Sequence, residues 1–228
     1  MKKIIFGVFA HPDDEAFIAA GALLTETRAG AELHLISLTN GSAGANPDNY
    51  PDLGAARLKE WQKAGDLLGA TGMHHLGFID GELTNKDMIE ATRQIRTTIE
   101  DVLEGTTEPY EAEIMTFDLT GITGHIDHIV ASRAASQVFY TSKQTNPNIT
   151  RLRYVCLPQS IYPTVNTDWI FMEPGRAPSE ISETIDARAL RDDILAVMGA
   201  HHSQRSDMQA MVKSQGDNLG LHYFIVKN

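Results

Sequence analysis

Two short stretches of the sequence concentrate residue types that do chemistry. The first is Ala10-His11-Pro12-Asp13-Asp14-Glu15, directly after the apolar run Lys3–Phe9. A histidine, two adjacent aspartates and a proline in one strand-to-helix turn is a costly place for polar groups unless they bind something. Pro12 fixes its own φ and disfavours helix at His11, so the two sides of the turn point differently. His11 and Asp14 can then converge on one ion, leaving Asp13 to face whatever that ion binds. The plain alternative is a helix cap made by Asp13 or Asp14. One carboxylate suffices for a cap, and the histidine is then unexplained.

The second stretch is Gly124-His125-Ile126-Asp127-His128. His125 and His128 are one helical turn apart and can face one pocket. His128 could complete a His-Asp-His set with His11 and Asp14, with positions left open for water and substrate as in a catalytic zinc site. Mixed nitrogen and oxygen ligands suit zinc, and iron, cobalt and manganese accept the same donors. Asp127 could orient one of the imidazoles from behind. The competing reading is two solvated histidines at a helix start.

Other chemistries find little support. The chain has 228 residues, and 42% of them are hydrophobic, enough for a packed core in one domain. Its one cysteine, Cys156, excludes an intrachain disulfide and a Cys-rich zinc cage; it reads as a buried strand residue rather than a nucleophile. Ser42 in Gly41-Ser42-Ala43-Gly44 lacks the Gly-x-Ser-x-Gly spacing of a nucleophile elbow. No Gly-x-Gly-x-x-Gly follows the first strand, so a dinucleotide site has no fingerprint. With 30 acidic against 19 basic residues the net charge is -11, which makes nucleic acid and anionic lipid poor partners. No stretch approaches the ~20 apolar residues of a membrane span, and the run Ile4–Ala10 is short for a signal peptide. The expectation is a cytoplasmic protein with a small-molecule partner and no membrane partner.

The elements that must position these residues alternate. Apolar runs at Lys3–Phe9, Glu32–Thr39, Met73–Phe78, Ala112–Phe117 and Arg153–Leu157 read as strands. Helical segments are expected at Glu15–Ala29, Asp52–Leu68, from Asn85 to about Leu103, and from His125 or Ile126 to about Tyr140. Beyond them come edge strands around Trp169–Met172, a helix at Ile185–Ala200 and a strand-like His222–Val226. This pattern predicts one α/β domain over residues 1–228, a Rossmann-like fold with a mostly parallel sheet and helices on both faces. Ligands of open α/β sheets sit outside the carboxyl ends of the strands. That places Ala10–Glu15, Asn40–Pro51, Ile79–Leu83 and Asp118–His128 around the site. His74 and His75 read as structural, and His34 and His222 as histidines without partners.

His11-Pro12-Asp13-Asp14-Glu15 together with His125-Ile126-Asp127-His128 resembles the LmbE/PIG-L family of zinc-dependent de-N-acetylases. Thr39-Asn40-Gly41 with Gly44 is similar to the family's TDG-type loop. Arg57 and Glu60 match its R-x-x-E helix, Leu76-Gly77 and Asp80-Gly81 its LG-x-x-DG stretch, and His201-x-Ser203-Gln204 its H-x-SQ segment. The resemblance covers about residues 3 to 205. Two departures, Asn40 for Asp and Ile126 for Pro, remove neither a ligand nor a proton carrier. The resemblance implies zinc held by His11, Asp14 and His128, with Asp13 as general base and His125 and Asp127 as the further catalytic residues. It also implies substrate contacts from Arg57 and His201. The reaction implied is removal of acetyl from an N-acetylglucosamine-type amine. Rival readings are a related amidase taking a larger N-acyl group, and a silent sugar- or metal-binding module. Members of the family are often multimers, so homo-oligomerisation stays open.

Overall fold

Apolar runs set the sheet. Lys2–Phe9 (β1) and Glu32–Thr39 (β2) are buried along nearly their whole length, as strands covered on both faces must be. The computed structural model describes residues 1–160, 165–166, 171–172 and 174–228. In it these strands join Gly72–Phe78 (β3), Tyr110–Phe117 (β4) and Ile149–Cys156 (β5) in a parallel array. Val165–Asn166 (β6) and Phe171–Met172 (β7) pair antiparallel with each other. Trp169 and Ile170, where edge strands were expected to begin, lie outside the described residues. Glu183–Asp186 (β8) and Leu221–Lys227 (β9) extend the main sheet antiparallel, in the order β3-β2-β1-β4-β5-β9-β8.

The helices are Asp14–Ile18 (α1), Ala20–Arg28 (α2), Leu53–Leu68 (α3), Asn85–Glu104 (α4), Ile126–Ser142 (α5), Arg191–Ala200 (α6) and Arg205–Gln215 (α7). α2 and α3 pack with α6, and α4 packs with α5. Right-handed crossovers put these two groups on opposite faces. Strand order reverses between β1 and β4, and a crevice opens there at the carboxyl ends. The two motifs leave those two strands.

Three local expectations need correction. The helix expected over Glu15–Ala29 is broken at Ala19, whose φ of -135 and ψ of -5 are not helical. His222 enters the break from β9: its Nδ1 lies 2.9 Å from the Ile18 carbonyl, and its Nε2 accepts the Gly21 amide at 3.1 Å. An inserted side chain is a recognised cause of a kink, since it satisfies the backbone groups the kink frees. So His222 does have partners. So does His34, whose Nε2 meets Glu32 at 2.9 Å and whose Nδ1 meets His74 at 3.2 Å. The helix expected from Ile185 begins only at Arg191; Glu183–Asp186 instead pairs with β9, where ladder bonds outweigh helical periodicity. Before α4 the cap is Thr84, in a capping box with Asp87.

The wedge has a pH signature. Burial pushes the His222 imidazole down to about 4, so the folded protein holds it neutral. Its stabilising share is complete above the unfolded value near 6.5 and is lost as pH falls towards 4, where the unfolded chain binds the extra proton. Urea midpoints at pH 7 and pH 4.5 will show an acid loss about 2–3 kcal/mol larger in the wild type than in His222→Gln. Equal losses would refute the assignment.

Candidate active site

The first motif turns sharply out of β1. Asp13 sits at the cap position of α1 with φ 122, a positive value that non-glycine residues rarely adopt, and its side chain makes no capping bond. Its carboxylate instead accepts from Arg57 Nη2 at 2.8 Å. Asp14 turns back and accepts the His11 amide on Oδ2 at 2.8 Å. Neither aspartate side chain therefore serves as the helix cap, and both stay with the motif.

The second motif comes up beside it. His128 Nε2 lies 3.2 Å from His11 Nδ1 and 3.3 Å from Asp14 Oδ1, and His11 Nδ1 lies 3.5 Å from Asp14 Oδ2. Two imidazole nitrogens and a carboxylate thus face one point. The other nitrogen of each ring is engaged. His128 Nδ1 is 3.0 Å from the Gly121 carbonyl, which in the neutral ring leaves Nε2 free of a proton to act as a ligand. His11 Nε2 lies 3.0 Å from Asp80 Oδ1 and 3.3 Å from Asp127 Oδ2. Carboxylate or carbonyl anchors behind each imidazole are what metal-ligating histidines require. Gly121 has φ +70, and a Cβ there would lie 2.9 Å from the His128 Cβ, so glycine serves both the turn and the approach. His11 and His125 with His128, and His11 with Asp80 and Asp127, also gather ligand atoms within 4.8 Å. By donor chemistry these residues fit a divalent metal.

The electrostatics agree. Burial opposes charge on His11, yet the carboxylates of Asp127, Asp14 and Asp80 raise its imidazole well above the usual value. Burial also opposes charge on Asp14, yet His128 and His11 hold its carboxyl well below the usual carboxylate range. The pocket favours a cation at this point, and a metal would displace protons to take it. Asp13 differs: burial pushes its carboxyl up to about 6, against the pull of Arg57.

His125 caps α5, and its Nδ1 accepts the Asp127 amide at 3.2 Å. A neutral His125 must then carry its proton on Nε2. The Asp127 carboxylate points elsewhere, to His11 and to the amides of Gly81 at 2.8 Å and Leu83 at 3.3 Å. Of the imidazoles that Asp127 could orient, its carboxylate meets that of His11, while His125 receives its backbone amide. Arg57 and His201, the expected substrate contacts, are both buried. Arg57 is 4% exposed and donates to Gly41 O at 2.8 Å and Pro12 O at 2.5 Å besides Asp13. His201 is wholly buried, with Nε2 2.7 Å from Glu15 Oε1. Cys156 is buried and its thiol is pushed up to about 12, chiefly by burial.

Sequence reasoning gave no role to Asp80, Glu15 or Glu60. Asp80 binds His11, the Thr39 hydroxyl at 3.3 Å and the Ala43 amide at 2.7 Å. Its signal was its position in the loop Ile79–Leu83, at the carboxyl edge of the sheet. Glu15 and Glu60 lie within matched motifs, but their partners His201 and Ser203 are distant in the chain and no local pattern names them.

Comparisons with known proteins identify the family. The model of the PIG-L family, described as GlcNAc-PI de-N-acetylase, matches residues 6–139. A 1D-myo-inositol 2-acetamido-2-deoxy-alpha-D-glucopyranoside deacetylase 2 from Saccharopolyspora erythraea is 29% identical, over 87% of this chain and 82% of its own. A probable N-acetyl-alpha-D-glucosaminyl L-malate deacetylase 2 from Bacillus cereus is 28% identical, over 91% of this chain and 86% of its own. The fold is shared with the N,N'-diacetylchitobiose deacetylase from Pyrococcus horikoshii at a TM-score of 0.65 and 17% identity, over 99% and 83% of the two chains. No helix among the described residues is long and apolar enough to cross a membrane. With its two histidine- and aspartate-bearing motifs drawn together where the strand order reverses, and more than half its length matched, this chain belongs to the PIG-L family of de-N-acetylases.

Proposed function

We propose that the chain is a zinc-dependent amide hydrolase that removes acetyl from the 2-amino group of an N-acetylglucosamine-type substrate. The observation that carries this reading is the convergence of His11 Nδ1, His128 Nε2 and the Asp14 carboxylate within 3.2–3.5 Å, next to an aspartate that takes no part in the cluster. Zinc held by those three residues would polarise the amide carbonyl and lower the pKa of an attacking water towards ~7.

The chain's own groups do the rest. Asp13 takes the proton of the attacking water as the C–O bond forms. His125, with its Nδ1 occupied by the Asp127 amide, offers its Nε2 proton to the oxygen that gains charge. As the C–N bond breaks, the proton held on Asp13 passes to the departing amine. Asp80 and Asp127 fix the His11 ring, Gly121 fixes the His128 ring, and Arg57 fixes Asp13. Inositol and L-malate are the aglycones that the relatives' names suggest.

Amine release by the zinc-loaded protein from N-acetylglucosamine conjugates of inositol, malate and a second glucosamine tests the reading. We expect release that a chelator abolishes, with one aglycone preferred. Release only from derivatives carrying a longer acyl chain would move the assignment to the amidase. No release from either set, with zinc bound, would favour the silent module.

A further inference from the structure

The positive φ of Asp13 persists only if its surroundings over-determine it. Two arms reach this residue. On one side Arg57 Nη2 donates to Asp13 Oδ2 at 2.8 Å and to the Pro12 carbonyl. On the other, the Asp13 amide donates to Glu15 Oε2 at 3.2 Å, and Glu15 Oε1 meets His201 Nε2 at 2.7 Å. Glu15 and His201 are both 0% exposed, and a carboxylate so buried depends on its partners. His201 stands just before the turn His202–Gln204, which is tied down in turn. Ser203 donates its amide and its hydroxyl to Glu60 at 2.8 and 2.6 Å, and Gln204 Nε2 donates to the Ala45 carbonyl at 3.0 Å. Arg57 and Glu60 are three residues apart on α3, so both arms start from one turn of one helix.

We propose that Glu15 and His201 are positioning residues that hold the Asp13 amide, as one arm of a clamp whose other arm is Arg57 and whose common anchor is α3. The proposal rests on the reading of Asp13 as the proton acceptor. Neither residue touches substrate. Without either one, Asp13 relaxes towards negative φ and its carboxylate swings away from the reacting water. A displacement of about 1 Å costs on the order of 10² in rate. The ligands His11, Asp14 and His128 are untouched, so metal content and KM stay as they were.

The test compares Glu15→Ala, Glu15→Gln, His201→Ala and the double alanine variant with the unaltered zinc-loaded protein. The readouts are kcat, KM, metal per chain and crystal structures. Each alanine change should lower kcat about a hundredfold, and the double variant should lose no more than the worse single one, because the two residues act in series. Glu15→Gln keeps an oxygen for the Asp13 amide and should recover most of the rate. In the alanine structures Asp13 should leave φ 122 and lose Arg57. Losses confined to KM or metal content, additive losses, or an unmoved Asp13 would each overturn the proposal. Glu15→Gln and His201→Ala carry the test if Glu15→Ala does not fold. If the unaltered protein releases no amine, the functional reading fails, and the crystal structures still decide whether the clamp exists.

Discussion

Asp13→Asn will keep its metal and lose about a thousandfold in kcat, within the range that removal of a general base produces. The substitution is a clean one at this position. Asparagine is among the few residues that tolerate positive φ, so the backbone at φ 122 is not disturbed. The amide oxygen still accepts from Arg57 Nη2, and the three proposed ligands are unchanged. What disappears is the group that can hold a proton. Metal analysis and amine release on the same preparation separate the two effects. Turnover within tenfold of the unaltered protein would remove Asp13 as the base.

His128→Ala will fail at the earlier stage and no longer retain stoichiometric metal. The ring lies 3.2–3.3 Å from the other two proposed ligands and is set by the Gly121 carbonyl behind it. Asp80→Asn is the graded comparison. It weakens an anchor of His11 without touching a ligand, and such changes cost about 10–100-fold in metal affinity. Competition with a coloured chelator should therefore rank the unaltered protein above Asp80→Asn and Asp80→Asn above His128→Ala. Full occupancy in His128→Ala would break the ligand set.

Much of this architecture is legible in the sequence because it is written locally. Strands such as Ile4–Phe9 announce themselves as unbroken apolar runs, and the loops that follow them inherit their place at the sheet edge. His11, Asp14 and His128 could be grouped for that reason, although 114 residues separate the last two. What stays hidden depends on partners that no local pattern encodes. Glu15 looks like an ordinary first-turn carboxylate until His201 is found on it. The break at Ala19 has no proline to mark it, and Gly21 beside it reads as an ordinary helix position until His222 on β9 is found at its amide. Arg57 and His201 illustrate the same limit: the family pattern identifies the residues, and only the packing shows Arg57 against Asp13 and His201 against Glu15. Ile185 fails differently, as a residue equally at home in a helix until β9 supplies a ladder.

The His222 wedge and the His201–Glu15 pair also constrain when the first motif can be completed. They join residues 201 and 186 positions apart, so contacts that complete the first motif are among the longest-range in the chain. Loop closure of that span comes late in folding. During synthesis, β1 and the turn after it leave the ribosome early, and the contacts of Glu15 and of the α1–α2 joint must wait until residues 201 and 222 have emerged. The turn after β1 is made first and locked last.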